Sequence, residues 1–341
     1  MKNISFIFLF LLLNSTQLMA QHTKTFKINV PKNNVPSCLY KTVEVIDGTS
    51  DSLGYGYVQT GMFNRTAAVV TSSPLHEQFT AMAKQVCSGA EGEGTLTLQL
   101  RSMRFSEAMG VMGELGYCAI RANLYCKEGD RYFLLASLDT VLDQFSPVDV
   151  TDPLLNAASG FLTSLVCSNL SKRPANTDNY DLQTVLNIDS LEKQQLRLYT
   201  GTSYNEGIYN TYRSLSNQVP DMKPAKMEFS GNRLLYWDQA GNQVKLKSSE
   251  TYAVVMNGDL FIATPYDFYQ LVKTGDDFYF TGEIKTRPGT AQLLVGQAFF
   301  GIVGPIVMIN KGVRSTFYTK LDHVNGRFIA LKHIPDEPLA E

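Results

Sequence analysis

The spacing of apolar residues changes rhythm several times along the chain. Ile4 to Leu13 is apolar except for Ser5 and gives way at Asn14 to a polar stretch ending in Ala20. Further on the period is two. In TLTLQLRSMRF (95–105), Leu96, Leu98 and Leu100 share one face, and in 117–127 Cys118, Ile120, Ala122, Leu124 and Cys126 do the same. Residues 131–141 make a third strand, and Glu128-Gly129-Asp130 is the tight link before it. Such alternation, broken by turn residues, predicts an antiparallel meander. Shorter strands are expected over 25–30, 38–46, 53–60 and 66–71.

Twice in this half the period lengthens to that of a helix. In SSPLHEQFTAMAKQVCSG, Leu75, Phe79, Met82 and Val86 form one stripe, with Ser73 as N-cap and Pro74 opening the helix. In DPLLNAASGFLTSLVCSN, Leu154, Ala158, Phe161 and Leu165 form the stripe, with Asp152 as cap and Pro153 in the first turn. Both helices begin polar-Pro-Leu and end Val-Cys-Ser. Two equivalent helices side by side on one sheet would bring Cys87 and Cys167 together, so that pair is a candidate disulfide.

After a polar stretch over 171–190 the texture changes. Residues 205–218 predict one more helix, with Ile208, Tyr212, Leu215 and Val219 as its stripe. Turn signals then recur: Ala240-Gly241-Asn242, Asn257-Gly258, Gly275-Asp276 and Asn325-Gly326. Asn-Gly between apolar runs favours tight hairpins, because both central residues need positive φ. The expected fold class is α+β: an N-terminal antiparallel sheet with two packed helices, and a C-terminal β-meander domain with one leading helix. The expected boundaries are 1–20 (signal peptide), 21–170 (N-terminal domain), 171–190 (linker) and 191–341 (β-rich domain).

The apolar start follows Lys2 and is short for a membrane span, which needs about twenty residues. It has the layout of a secretory signal peptide cut after Ala20. No Cys follows that cut, so no lipid anchor is expected. The formal net charge of −2 gives no footprint for nucleic acid. All five cysteines, Cys38, Cys87, Cys118, Cys126 and Cys167, lie in the first half. Export would place them in an oxidising compartment, where pairing is possible, and their odd number leaves at least one unpaired.

Two stretches resemble known groups. LTLQLRSMRFSE, GYCAIRANLYCKEGDRYFLLASLDTVLDQF and VTDPLLNAASGFLTSL, within about 95–167, resemble periplasmic auxiliary components of envelope lipid-transport systems. That resemblance implies a strand ending in an RFSE-like turn, two antiparallel strands and a helix; the lipid anchor of that family is missing here. EGIYNTYRSLSNQVPD, ETYAVVMNGDLFIA and DFYQLVKTGDDFYFTGEI are similar to a group of uncharacterised exported proteins of Gram-negative bacteria, from which no activity carries over.

Chemistry is sparse. GQAFFGIVGPIVMINKG (296–312) is too short and too rich in Gly and Pro for a spanning helix. It reads as a buried segment closing the β-domain or as an apolar-ligand flap presenting Phe299, Phe300, Ile302 and Val303. Trp237, Tyr269 and Tyr279 are candidates for a glycan-stacking surface, or else for ordinary cross-strand pairs. His22, His76, His323 and His333 show no metal or nucleophile spacing, and no HExxH, GxSxG or phosphate loop occurs. No catalytic residue, cofactor or metal is expected. The function expected is that of an exported, non-enzymatic accessory or binding protein of the cell envelope, periplasmic or facing the outside. Its partner would be an envelope protein or lipid, with no nucleic acid and no transmembrane span after signal cleavage. The alternatives are a lipid carrier, a glycan-binding module and an unrecognised hydrolase.

Overall fold

The computed structural model describes residues 22–49, 54–61, 65–87, 92–110, 113–175, 177–231, 233–285 and 314–334. The expected signal peptide and the stretch 296–312, with Phe299, Phe300, Ile302 and Val303, lie outside the described residues.

Three long strands dominate: β5 (Gly94–Gly110), β6 (Gly113–Glu128) and β7 (Arg131–Ser146). They form a five-stranded sheet with β2 (Tyr40–Asp47) at one edge and the two-residue β8 (Asn179–Tyr180) at the other. β2 runs parallel to β5. A second sheet holds β1 (Thr23–Phe26), β3 (Tyr57–Thr60) and β4 (Arg65–Thr71), with β1 parallel to β4. The expected fold class is therefore corrected. The chain is mostly β, in five sheets among the described residues, and the N-terminal half is two mixed sheets rather than one antiparallel sheet carrying two helices. Alternation fixes which face a strand buries, but it does not say which strand is its neighbour or in which direction that neighbour runs.

The helices of this half are α1 (Leu75–Val86) and α2 (Thr151–Cys167). Leu75, Phe79, Met82 and Val86 of α1 are buried, as are Leu154, Ala158, Leu162 and Leu165 of α2. Neither helix uses the expected side-chain cap. At α2 the Val150 N–H is taken by the Glu114 carboxylate at 3.0 Å. One face of the long-stranded sheet packs in the same core, through Leu96, Leu98, Leu100, Met103 and Phe105 of β5 and Cys118, Ile120, Ala122 and Leu124 of β6.

The β5 row moves from even to odd numbers at a β-bulge. Leu100 pairs with Ala122 and Ser102 with Arg121, so Arg101 is one residue too many. A bulge of this kind re-aims side chains on one strand. β5 also runs straight through Arg104-Phe105-Ser106-Glu107, where a turn was expected.

Cys87 is joined to Cys38, with a Cα–Cα distance of 5.8 Å, and not to Cys167, whose thiol is free. The strap before β2 crosses the ends of both helices: the Val35 N–H donates to Val86 O and the Leu39 N–H to Leu170 O. It thereby seats Cys38 at the end of α1. Burial pushes the Cys167 thiol up to about 11.

The stretch expected as a linker folds into β8, α3 (Leu182–Leu186) and the start of α4 (Ile188–Gln194); α5 (Arg197–Thr200) follows. The helix expected over 205–218 is instead strand β9 (Gly207–Tyr209) followed by the short α6 (Tyr212–Ser216). β9 pairs with β13 (Ala253–Met256). Gly207 has φ 144°, and a Cβ there would lie 2.5 Å from the Met222 carbonyl oxygen, so tertiary pairing overrides the helical spacing.

The C-terminal half holds three sheets in place of one meander. β10 (Lys226–Ser230), β11 (Arg233–Trp237) and β12 (Gln243–Lys245) form the first. β15 (Phe268–Gln270), β14 (Asp259–Ala263), β13 and β9 form the second. β16 (Val272–Thr274), β17 (Asp277–Lys285), β18 (Arg314–Leu321) and β19 (Phe328–Ile334) form the third. The main core of this half includes Tyr209, Phe278, Phe280 and Phe317, and the far ends of β5 and β6 enter it through Ala108 and Tyr117. Among the described residues no helix is long and apolar enough to cross a membrane.

Candidate functional site

The second face of the long-stranded sheet is polar, and the buried chemistry gathers there. Gln99 of β5 accepts from Asn123 (3.3 Å) and from the Tyr125 hydroxyl (3.2 Å), both on β6. Ser137 of β7 donates to the Asn123 side-chain oxygen at 2.9 Å. The row continues into two arginines. Arg101, aimed by the bulge, donates through Nε to Asp189 at 2.9 Å and through Nη2 to Glu192 at 2.5 Å, both on α4. Arg121 grips Asp322 with two hydrogen bonds, at 2.8 and 2.5 Å, and reaches Asp139 of β7 at 3.1 Å.

Asp322 and His323 open the turn between β18 and β19, so these bonds tie the C-terminal half to the sheet. Asn325 of the same turn donates to Asp139 at 3.0 Å. His323 Nε2 lies 2.9 Å from Glu192 and 3.7 Å from Asp189. On the other side of α4, Lys193 and Lys320 both bind Asp277 of β17, at 2.7 and 2.8 Å. α4 therefore holds sheet and β-rich half together by charge. A buried ion pair offsets its desolvation only with good geometry and further hydrogen bonds, and both are present here.

The charge states follow from these contacts. Burial alone would raise the Glu192 carboxyl, but hydrogen bonds from His323 and Arg101 bring it down to about 2. Burial likewise opposes charge on Asp322, and Arg121 holds its carboxyl below the ordinary value. Arg121 is itself held more firmly protonated by Asp322 and Asp139, against its burial.

Asp189, Glu192 and His323 bring ligand-type atoms within 4.8 Å of one another, the spacing of a metal centre. Arg101 already donates to both carboxylates, and its guanidinium supplies the positive charge a cation would bring. The residues fit an ionic tie better than a metal site. A further buried carboxylate, Glu107, sits under the start of α2. Glu107 accepts from the Gln59 N–H at 2.5 Å and from the Thr151 hydroxyl at 2.9 Å. Burial is the main cause that pushes its carboxyl up to about 7.

The candidate stacking residues fall in three different sheets. Trp237 on β11 carries the Lys226 ammonium 4.2 Å from its ring centroid. Tyr269 on β15 lies over Gly282, where a Cβ would come within 2.4 Å of its ring, and stacks on Phe280. Tyr279 stacks on Tyr318, with centroids 5.4 Å apart. On β17, Phe280 and Gly282 point inward and Tyr279 outward, so Tyr269 and Tyr279 lie on opposite faces of that strand. A polar cleft of 390 Å³, bordered by Asn205, Glu206, Lys223, Lys226 and Asn257, lies elsewhere on the β-rich half.

Sequence reading missed Arg101, Arg121, Glu192, Asp322 and His323 as a group. One trace was present: the step of three from Leu100 to Met103 in a row otherwise spaced by two, which marks the bulge.

No protein-family model and no curated protein matches the chain. Among solved structures it is similar to a protein of family DUF330 from Xanthomonas campestris. Identity is 11%, covering 44% of this chain and 91% of that one, with a TM-score of 0.25. A likeness of that size carries no argument about this chain.

Proposed function

We propose that the chain is an exported, non-enzymatic accessory or binding protein of the bacterial cell envelope, working in the periplasm or facing the outside. The observation that carries this reading is the Cys38–Cys87 bridge. Disulfides persist in oxidising compartments and are rare where thiols are kept reduced. The signal-peptide layout of residues 1–20 points the same way. A structural role for the buried charges supports binding over catalysis, since Arg101 and Arg121 occupy the carboxylates that would otherwise be free to act as acids or bases. The resemblance of residues 95–167 to auxiliary components of lipid transport makes an envelope lipid-handling assembly the setting we favour.

Native mass spectrometry of the protein purified gently from its own envelope fraction tests this. The expected mass begins at Gln21 and lacks two hydrogens for the bridge. Lipid released on organic extraction would fit the favoured setting. A full-length, fully reduced chain recovered from the cytoplasm would sink the proposal.

A further inference from the structure

The polar cleft of 390 Å³ on the β-rich half is built by three segments distant in sequence. Residues 205–207 lead into β9, residues 223–227 lead into β10, and Met256 and Asn257 stand where β13 turns toward β14. Its volume falls within the ordinary range of small-molecule sites, about 300–1,000 Å³. The walls are held by the fold itself. The Asn205 N–H donates to Gln218 Oε1 at 2.9 Å, and Asn205 Nδ2 donates to Gln218 O at 2.6 Å. Gln218 is buried, and its Nε2 donates to Leu215 O at 2.9 Å. Glu206 Oε1 accepts from the Gly258 N–H at 2.9 Å. Beneath these groups Met256 is buried, and Met227 packs on the same small apolar core.

Charge is divided across the cleft. Glu206 borders it from one segment, Lys223 and Lys226 from another. Among the described residues, neither Glu206 nor Lys223 has an ion-pair partner, so the two signs face one cavity without closing on each other. Lys226 pairs with Glu228 at 2.6 Å, but both side chains are exposed, and such a pair is worth little. A bound anion can therefore compete for it.

We propose that this cleft binds a phosphoethanolamine group, with the phosphate at Lys223 and Lys226 and the ammonium at Glu206 and Asn205 Oδ1. A plain anion would lie against the Glu206 carboxylate, and a plain cation against two lysines, so the cleft selects a ligand that carries both signs. Lysine serves phosphate as a point charge, and two of them match the two unesterified oxygens of a phosphodiester. An ammonium brings three donors, enough for the carboxylate and the amide oxygen together. The choice of phosphate as the anion rests on the lipid-handling setting proposed above.

Isothermal titration of the full oxidised chain with glycerophosphoethanolamine tests this. Saturable binding is expected, with a Kd of about 1 mM or tighter. Glycerophosphocholine has no N–H to give Glu206, and glycerol phosphate has no cation; each should bind about tenfold more weakly. Glu206→Gln keeps an acceptor for the Gly258 N–H and removes the charge, and Lys223→Met removes an exposed ammonium. Each should weaken binding about tenfold, while Lys247→Met, outside the cleft, should leave it unchanged. Vesicles of phosphatidylcholine with and without phosphatidylethanolamine identify the source. Retention on the mixed vesicles alone assigns a membrane lipid, titration without retention assigns a free headgroup, and both uphold the site. Absence of saturable binding, or equal affinity for glycerol phosphate, overturns it. Neither result decides the lipid-handling setting, which native mass spectrometry of the envelope protein tests separately.

Discussion

The two faces of the long-stranded sheet come from the same three strands and hold the molecule together by different means. One face is a dry surface of Leu96, Leu98, Leu100, Met103 and Phe105 under α1 and α2. The other presents Gln99, Arg101, Arg121 and Asn123 to α4 and to the turn at Asp322. Apolar packing is non-directional and tolerates small shifts, so the first face gives stability. The second pairs each buried charge with one geometry, so it gives relative position between the halves. The contrast teaches that a single amphipathic sheet can serve as a core on one side and as a docking plate on the other.

The strongest way to break this contrast is Arg121→Ala. It leaves Asp322, only 3% exposed, without its partner, and the expected loss is about 3–5 kcal/mol in urea unfolding. Replacing both residues, by Arg121→Met with Asp322→Leu, should recover most of that loss, because an apolar pair of similar volume is often as stable. If the single change cost little, the polar face would be an ordinary solvated surface and the contrast would fall.

Leu98→Ala probes the dry face. The side chain is fully buried, and removal should cost about 2–5 kcal/mol, with no change on the polar face able to restore it.

Acid sharpens the comparison further, because the two sites respond with opposite sign. Glu192 has a folded value near 2, below its unfolded one, so its contribution is present at neutral pH and is lost as pH falls through the range from 4.5 toward 2. Glu107 has a folded value near 7, above its unfolded one, so its contribution is present below pH 4.5 and is lost as pH rises toward 7. Glu192→Gln should flatten the acid limb of a stability–pH profile, and Glu107→Gln the limb between 4.5 and 7. A profile unchanged by either would show that these carboxylates do not titrate as their contacts require. The smallest effect belongs to the surface: Asp152→Asn, which removes the pair with Lys24, should stay within about 0.5 kcal/mol in the same unfolding assay.

The dry face was legible in the sequence and the polar one was not. Leu96, Leu98 and Leu100 announce their face by alternation alone, since burial of one side is a local pattern. The carboxylates of the polar face lie far away along the chain, on α4 and in the β18–β19 turn, and nothing local marks Glu192 or Asp322 as the partner of an arginine on β5 or β6. His323 looked isolated for the same reason. The helix expected over 205–218 failed differently. Ile208 and Leu215 of its expected stripe are buried, but Val219 is exposed, and pairing with β13 and the close approach at Gly207 decided the outcome. Cys87 was read as a bridging cysteine with the wrong partner, because the strap that carries Cys38 across the helix ends has no periodicity to reveal it.

The Cys38–Cys87 bridge bears on the order of events as the protein is made. The loop it closes, with a sequence separation of 49, contains β2, β3, β4 and α1, whereas β5, the sheet neighbour of β2, lies beyond it. In a chain threaded N-terminus first into an oxidising space, both thiols arrive before β5 does. The covalent clasp can then be fastened while β2 still waits for its parallel partner. A chain made whole under reducing conditions meets the reverse problem and must find that distant pairing with the strap unfastened, a search that loop-closure entropy makes slower.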